Sequence, residues 1–273
     1  MNIVDRLLPQ HGRPTVPSVV PPEPYRGAPI VQIPSDAGPL WIRADDGVIR
    51  PYLEINGTWE PDEGAMLRKL VRPGSTFVDV GANVGYFSRL LATVAQPARI
   101  VAFEPHPELV DILRLNTWGL SPVVEVHTCA LGDSNGTVVL ESAEHNYGDT
   151  RVSAGGVAPA SMVAPVARMD DLVDGPVDVV KIDVQGYESE VLRGMQRIIR
   201  ENPRLMLVVE FWPAALTARG LVPRAVLEQY RLNGFVVALL RDGSPLEATN
   251  DEILGFCQSA GQDGQANLVL RKP

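Results

Sequence analysis

Four carboxylates stand at or just beyond the ends of apolar, β-prone runs in the sequence. They are Asp79, Glu104, Asp183 and Glu210. In open α/β sheets ligands bind outside the carboxyl ends of the strands, so we expect these four side chains to face one site. A carboxylate can accept two hydroxyl hydrogen bonds or take up a proton. The pattern therefore predicts a site that binds a hydroxylated ligand and performs acid–base chemistry.

A glycine-rich turn follows the first of these runs. Residues 76–80 are β-formers, Gly81-Ala82-Asn83-Val84-Gly85 comes next, and from Val84 onward apolar residues recur at helical spacing. Glycine permits positive φ and lets a ligand approach the backbone closely. The N–H groups at a helix start are expected to be open to an anionic group. This stretch predicts a cradle for a nucleotide-type cofactor.

The spacing of the glycines argues against two common nucleotides. Gly-x-x-x-Gly lacks the second glycine on which a dinucleotide pyrophosphate rests. The sequence also lacks the Gly-x-x-x-x-Gly-Lys-Ser/Thr loop of triphosphate sites. Glu104 follows Gly85 at about the 20-residue spacing at which such folds place the acid for a ribose diol. We therefore expect a ribose-containing cofactor other than a dinucleotide.

Strands and helices alternate from residue 76 onward, which predicts an α/β fold with a mostly parallel sheet covered on both faces. The predicted strands are 76–80, 99–104, 123–131, 177–183, 204–210, 235–240 and 266–271, with an extra strand at 136–142. Residues 143–162 are rich in small and polar residues and too long for a tight turn, so we predict a lid or binding loop there. Residues 242–264 are predicted to be a further loop.

The N-terminal region is predicted to be separate from this sheet. Seven prolines between Pro9 and Pro29 predict an extended arm over residues 1–29. The arm is either a disordered leader or a segment that packs across a neighbouring subunit of a homo-oligomer. Residues 30–58 begin with two β-prone runs that predict a hairpin. Residues 59–273 form the main domain.

Composition narrows the class of protein. A length of 273 residues fits one large domain, and a net charge of −9 argues against sequence-independent binding of nucleic acid. No apolar run approaches the roughly 20 residues of a membrane span, and the N-terminus lacks a secretion-signal pattern. Cys129 and Cys257 have no metal or redox spacing and are expected to be buried thiols. These features favour a cytoplasmic protein with no nucleic-acid or membrane partner.

Several motifs in order carry a resemblance to one family. They are VDVGANVGYFS, VAFEPHP, CALGDSNG, VDVVKIDVQGYESEVLRG and LVVE. From about Trp59 to Glu210 the chain resembles the FkbM family of S-adenosylmethionine-dependent methyltransferases. The resemblance implies the Rossmann-like class I methyltransferase fold, a doubly wound, mostly parallel, seven-stranded sheet with its last strand antiparallel. It also implies methyl transfer from S-adenosylmethionine, leaving S-adenosylhomocysteine, usually to a hydroxyl of a sugar or secondary metabolite, as in antibiotic biosynthesis.

The same resemblance assigns the cofactor site. The residues assigned to it are Glu60, Asp79, Gly81, Ala82, Asn83, Gly85, Glu104, Pro105, Ala130, Leu131, Asp133 and Asp183. Glu104 takes the ribose hydroxyls, Asp133 the adenine, and Glu60 closes over the methionine end held by the glycine turn. Asp183 lies nearest the sulfonium. Asn116 matches a family asparagine, with a structural role at the helix end as the alternative.

The candidates for the base that deprotonates an acceptor hydroxyl are Asp183, Glu210 and His145. His145 has a suitable ordinary pKa near 6.5, and its alternative is a solvated loop residue. Asp183 and Glu210 alternatively hold a divalent metal ion, although no third ligand is evident. Gln185 departs from the glutamate usual in the family. A neutral amide cannot act as a base or a strong metal ligand, so we expect a supporting role.

The small-molecule acceptor is predicted to contact His145, Asn146, Arg151, Gln185 and Trp212. Arg151 suits an anionic acceptor or is a surface charge, and Trp212 walls the pocket or packs in the core. Three other functions stay open: N-methylation of an amino sugar or other small amine, a nucleotide-cofactor oxidoreductase, and a cofactor-binding protein without catalysis. Binding of S-adenosylmethionine but not NAD separates a methyltransferase from an oxidoreductase.

Overall fold

The computed structural model describes residues 25, 27–143, 146–153 and 161–273. Its strands are β1 (Ile30–Ile33), β2 (Leu40–Arg43), β3 (Thr76–Val80), β4 (Arg99–Phe103), β5 (Val124–His127), β6 (Ala130–Leu131), β7 (Gly136–Ala143), β8 (Asn146–Val152), β9 (Met162–Ala167), β10 (Val179–Ile182), β11 (Met206–Phe211), β12 (Val236–Arg241), β13 (Ser244–Glu247) and β14 (Ala266–Arg271). Its helices are α1 (Ile49–Asn56), α2 (Pro61–Leu70), α3 (Tyr86–Val94), α4 (Pro107–Thr117), α5 (Met169–Leu172), α6 (Glu188–Arg193), α7 (Gln196–Glu201), α8 (Pro213–Ala218), α9 (Pro223–Leu232) and α10 (Asn250–Ser259). Residues 1–24 of the predicted arm, His145 and residues 154–160 of the predicted lid lie outside the described residues, so the arm's packing and the lid stay predictions.

The main sheet of the described chain has the strand order β13-β12-β14-β11-β10-β3-β4-β5. Strands β5, β4, β3, β10 and β11 are parallel, and β14 is antiparallel to both β11 and β12. The predicted α/β fold with a doubly wound, mostly parallel sheet is confirmed. The sheet has one strand more than the seven expected, because the short, exposed β13 is added at the edge beside β12.

Helices cover both faces of the main sheet. One hydrophobic core joins one face to α6, α7, α9 and α10, and a second core joins the other face to α1–α4 and the β1–β2 hairpin. Successive strand residues point to opposite faces, so Val180 and Ile182 of β10 enter the first core and Val179 enters the second. Central strand β3 is buried along its whole length. This packing fixes the carboxyl ends of β3, β4, β10 and β11 along one edge.

A separate sheet with the order β6-β9-β7-β8 corrects two predictions. The predicted strand 123–131 is divided, because β5 joins the main sheet whereas β6 pairs with β9 in the smaller one. Residues 146–152 of the predicted loop form β8, which pairs antiparallel with β7 across a bulge at Ser142 and Ala143. The polar composition of β8 concealed this strand, since its pairing partner and not its own pattern fixes its conformation.

The predicted loop at 242–264 is likewise partly regular, because it contains β13 and helix α10. Thr249 accepts the N–H of Glu252, and the Glu252 side chain accepts the N–H of Thr249, which forms a capping box at the start of α10. No helix in the described part of the chain is long and apolar enough to cross a bilayer.

Candidate active site

A cavity of about 360 Å³ lies at the carboxyl ends of β3, β4, β10 and β11. Its volume falls within the range of about 300–1,000 Å³ typical of small-molecule sites. The predicted site residues on its wall are Glu60, Gly81, Ala82, Asn83, Glu104, Pro105, Ala130, Leu131, Asp183, Gln185, Glu210 and Trp212. The fold thus brings together residues that are far apart in the sequence.

Three residues predicted to bind the cofactor lie off this wall. Asp79 is fully buried in β3, where one of its oxygens accepts a hydrogen bond from Ser88 Oγ at 2.7 Å. Gly85 packs against α4. Asp133 forms a half-exposed ion pair with Arg193, in which Arg193 Nε lies 3.0 Å from Asp133 Oδ2. The structure therefore does not bring Asp133 to the cavity.

The residues predicted to bind the acceptor are only partly brought together. Gln185 and Trp212 lie on the cavity wall, and the Arg151 guanidinium carbon lies 5.9 Å from the centroid of the Trp212 ring without lining the cavity. Asn146 begins β8, and its side chain lies outside what the structure describes. His145 lies outside the described residues altogether, so its predicted roles stay untested.

The N–H groups of the glycine turn are not open to a ligand. Gly81 and Ala82 both donate to the carbonyl oxygen of Phe103 at 3.0 Å, and Asn83 donates to Glu104 Oε2 at 2.9 Å. The N–H groups of residues 84 and 85 donate to the side chain of Asn83 and the carbonyl of Ala82. The N–H groups of residues 81–85 therefore serve to fold the turn on itself and to hold Glu104, and the role of the turn in binding a cofactor stays a prediction.

The two glycines of the turn are required by packing. A Cβ at Gly81, where φ is +79°, would lie 1.9 Å from the carbonyl oxygen of Asp183. A Cβ at Gly85, where φ is +85°, would lie 2.4 Å from Leu113 Cδ1. Gly81 lets the turn close against the backbone of Asp183, and Gly85 lets α3 approach α4.

Asn116 of α4 has a structural role. Its Oδ1 accepts the N–H of Trp41 at 2.7 Å, and its Nδ2 donates to the carbonyl oxygens of Trp41 at 2.8 Å and Val84 at 2.7 Å. Asn116 is buried and joins the N-terminal hairpin to the glycine turn. This agrees with the structural alternative considered for it.

Glu104 is placed on the cavity wall by two backbone hydrogen bonds. Its Oε2 accepts the N–H of Asn83 at 2.9 Å and its Oε1 accepts the N–H of His106 at 2.8 Å. Burial raises the pKa of Glu104 to about 7, although these two hydrogen bonds act in the opposite direction. Each carboxylate oxygen keeps a further lone pair, so Glu104 can accept two hydroxyl groups of a ligand.

Lys181, which the sequence analysis did not single out, is the buried cation of the site. Its Nζ lies 3.0 Å from Asp183 Oδ2, and Asp79 is its register partner on β3. Burial alone would lower the pKa of Lys181, but Asp183, Glu63 and Asp79 together raise it well above its usual value. A lysine inside the apolar run VDVVKID was the available signal, because a buried lysine requires partners.

Glu60 is held at the cavity by the segment that begins α2. The Tyr86 hydroxyl accepts the N–H of Trp59 at 3.1 Å and donates to Asp36 Oδ1 at 2.6 Å, which ties this segment to the hairpin loop. Burial raises the pKa of Glu63 well above its usual value, and the charge of neighbouring Glu60 raises it further. A hydrogen bond between the side chains of Glu63 and Glu60 acts in the same direction and positions Glu60 at the cavity.

Gln185 joins the two candidate bases. Its Nε2 donates to Asp183 Oδ1 at 2.7 Å and to Glu210 Oε2 at 3.0 Å. Burial, and then the charge of Asp183, raise the pKa of Glu210 well above its usual value. The supporting role predicted for Gln185 thus has a definite geometry, since one amide group aligns both carboxylates.

The opposite part of the cavity is apolar. Cys129, Ala130 and Leu131 line it together with Leu140 and Val152 of the smaller sheet. Burial raises the pKa of the Cys129 thiol to about 11, so this thiol is uncharged at physiological pH. Sequence reasoning missed the last two residues because only the pairing of the smaller sheet brings them to the site.

The arrangement combines an apolar pocket, a carboxylate that can bind a diol, and two aligned carboxylates that can accept a proton. In the part of the chain that the structure describes, no group of three or more His, Cys, Asp or Glu side chains is placed to hold a metal ion.

The chain is similar in sequence to known methyltransferases. A family model described as the methyltransferase FkbM domain matches residues 79–243. The chain is 35% identical over 164 residues to the hexuronic acid methyltransferase AglP of Haloferax volcanii, covering 58% of this chain and 59% of that relative. It is 29% identical over 177 residues to the methyltransferase sdnD of Sordaria araneosa, covering 51% of this chain and 68% of that relative. A crystal structure of a methyltransferase FkbM from Methylobacillus flagellatus aligns with 72% of this chain and 43% of its own, at 16% identity and a TM-score of 0.46.

Proposed function

Since the chain belongs to the FkbM methyltransferase family, we propose that it transfers the methyl group of S-adenosylmethionine to a hydroxyl of a sugar or other small metabolite. The observation that carries this proposal is the joining of Asp183 and Glu210 by the amide of Gln185, in the cavity that Glu104 also lines. This arrangement supports a cofactor with a ribose on one side and an acceptor that loses a proton on the other.

The cavity suits S-adenosylmethionine in three respects. Cys129, Ala130 and Leu131 offer apolar surface to a purine, and Glu104 offers two oxygens to ribose hydroxyls. The carboxylates of Glu60 and Asp183 suit the positive charges of the ammonium and the sulfonium. When bound, the cofactor supplies an electrophilic methyl group on a positively charged sulfur.

Residues of the chain would position the acceptor, exclude water and accept the proton. Methyl transfer is an in-line displacement, so positioning and exclusion of water carry much of the rate. An alcohol must also lose its proton as the new bond forms, and Asp183 or Glu210 would accept it. The raised pKa of Glu210 makes this carboxylate a stronger base than an ordinary glutamate when it is ionised. Gln185 would hold the two side chains in the orientation that the transfer requires.

A sugar acceptor is supported by the relative whose name specifies hexuronic acid methylation. The alignment covers 59% of that relative, so its substrate supports a sugar acceptor and not a particular sugar or charge.

Calorimetry tests the cofactor assignment. S-adenosylmethionine and S-adenosylhomocysteine should bind, whereas NAD should not, and Glu104→Gln should weaken binding at least about tenfold through loss of a charge-assisted hydrogen bond. Glu125→Gln is the matched control, because Glu125 lies in an exposed ion pair with Arg99. Tight NAD binding, or equal effects of the two variants, would overturn the assignment.

Turnover tests the base. With an acceptor found by its gain of one methyl group across a panel of hydroxylated sugars, Asp183→Asn or Glu210→Gln should lower kcat by about 10²–10⁴-fold. Glu210→Gln should leave the affinity for S-adenosylhomocysteine nearly unchanged. If both variants keep near-normal kcat, neither carboxylate is the base.

A further inference from the structure

The charges on the cavity wall are strongly unbalanced. Four carboxyl residues line it in the described part of the chain, namely Glu60, Glu104, Asp183 and Glu210, and Lys181 is the basic residue among them. An acceptor bearing its own negative charge would enter a wall that is already acidic.

The positive charge of Lys181 is already compensated by carboxylates of the protein, so it is not available to an anionic acceptor. Its side chain is 2% exposed, and its Nζ lies 3.0 Å from Asp183 Oδ2. The carboxyls of Glu63 and Asp79 act on the same ammonium group. A ligand carboxylate would have to displace one of these partners and leave that partner buried without compensation.

The neutral donors at the acceptor end suit uncharged oxygen atoms. The amide nitrogen of Gln185 directs its hydrogen bonds to Asp183 and Glu210, so it cannot serve an anion without breaking that bridge. Trp212 lines the same cavity, and its buried indole N–H has no acceptor among the described residues. An indole N–H can donate to a hydroxyl or ring oxygen but brings no full positive charge.

Two arginines lie against side chains that line the cavity. Arg219 lies over the ring of Tyr187, with its guanidinium carbon 4.5 Å from the centroid, and approaches Glu190 Oε1 at 3.3 Å. Arg151 lies over the ring of Trp212. Trp212 lines the cavity, but Arg151 does not.

We propose that the acceptor is neutral around the reacting hydroxyl, a sugar or polyol without a carboxylate or phosphate on the reacting ring, and that the site rejects uronates. This inference rests on the proposed methyl transfer and specifies its substrate class. Rejection arises because a buried carboxylate without a cationic partner loses its hydration and faces like charges. Two unit charges about 4 Å apart repel strongly even at the moderate effective dielectric near a protein surface, so discrimination of at least about 100-fold is expected.

A matched set of acceptors isolates charge from shape. The set consists of a methyl hexopyranoside, the corresponding hexuronamide and the corresponding hexuronate, because the amide and the carboxylate have nearly the same size. With S-adenosylmethionine, kcat/KM for the hexuronamide should exceed that for the hexuronate at least about 100-fold at pH 7.5. Equal kcat/KM for the amide and the uronate, or faster methylation of the uronate, overturns the inference and leaves the proposed methyl transfer intact.

Binding to the complex with S-adenosylhomocysteine gives a readout that does not need turnover. In calorimetric titrations the hexuronamide should bind more tightly than the hexuronate, and Asp183→Asn should reduce that difference at least about tenfold by removing one carboxylate and the partner of Lys181. An undiminished difference in the variant contradicts the electrostatic cause. If S-adenosylhomocysteine binds but no member of the set binds or is methylated, the sugar acceptor proposed above is wrong, and this inference falls with it. Uronate methylation that Arg151→Ala abolishes would show that Arg151 is the anion partner and would refute the inference alone.

Discussion

Replacing Lys181 by methionine gives a test of the buried charges that does not depend on knowing the acceptor. The substitution keeps an unbranched apolar side chain but removes the cation 3.0 Å from Asp183 Oδ2. Glu63 and Asp79 then also lose the charge that offsets their burial. Removing one partner of a buried ion pair costs about 3–5 kcal/mol. We expect the free energy of unfolding to fall by about this amount at pH 8.

The loss should become smaller as the pH falls. Lys181 lowers the pKa of Glu63 and of Asp79, so both pKa values should rise further in the variant. A carboxyl with a folded pKa above its unfolded pKa binds a proton on folding, and the stability lost on its ionisation is recovered as the pH falls towards the unfolded value. One such group returns about 1.4 kcal/mol per pH unit. The difference from wild type should therefore shrink as the pH falls from 8 to 6.

Urea unfolding followed by tryptophan fluorescence at pH 8, 7 and 6 measures this difference. Lys69→Met is the matched control, because the exposed Lys69 donates from Nζ to the carbonyl oxygen of Gly243 at 2.7 Å and is not a partner of the buried acids. The control should lose about 1 kcal/mol or less at every pH. A pH-independent loss in Lys181→Met, or a loss no larger than that of the control, would refute the reasoning.

Three further predictions concern the cofactor. Glu104 has a pKa of about 7 and must be ionised to accept hydroxyl groups, so S-adenosylmethionine should bind about tenfold more weakly at pH 6 than at pH 8, a dependence that Glu104→Gln removes in calorimetry. Gly81→Ala places a Cβ 1.9 Å from the carbonyl oxygen of Asp183, so the shifted backbone should lower the affinity at least about tenfold. Asp133→Asn should leave the Kd within about twofold, because Asp133 is engaged in a half-exposed ion pair with Arg193.

Each of these predictions has a clear contrary result. A pH dependence that persists unchanged in Glu104→Gln would assign it to another group. Gly85→Ala is the control for Gly81→Ala, since its Cβ meets the side chain of Leu113 and should lower Tm more than cofactor affinity. A tenfold loss in Asp133→Asn would restore Asp133 to the cofactor site.

The sequence predicted the features that a single segment encodes. Buried strands read as continuous apolar runs, and the acids at their ends converge because the carboxyl ends of parallel strands share one edge. The positions of Glu104, Asp183 and Glu210 on one cavity follow directly from that rule.

Features that depend on pairing between distant segments could not be predicted in this way. Leu140 and Val152 form part of the cavity wall only because β7 pairs with β8. The polar sequence of β8 does not predict that pairing. The bridge from Gln185 to Glu210 joins the turn after β10 to strand β11, so spacing does not reveal it. The hydrogen bonds of the glycine turn could not be predicted either, because the sequence shows the N–H donors but not the Phe103 carbonyl that accepts two of them.

A crystal structure of the complex with S-adenosylhomocysteine tests the central claim most directly. We predict the ribose hydroxyls within about 3.2 Å of the Glu104 oxygens, the purine against Ala130 and Leu131, and the sulfur facing the carboxylates joined by Gln185. S-adenosylhomocysteine bound elsewhere on the protein, or bound in this cavity without ribose contact to Glu104, would contradict the account.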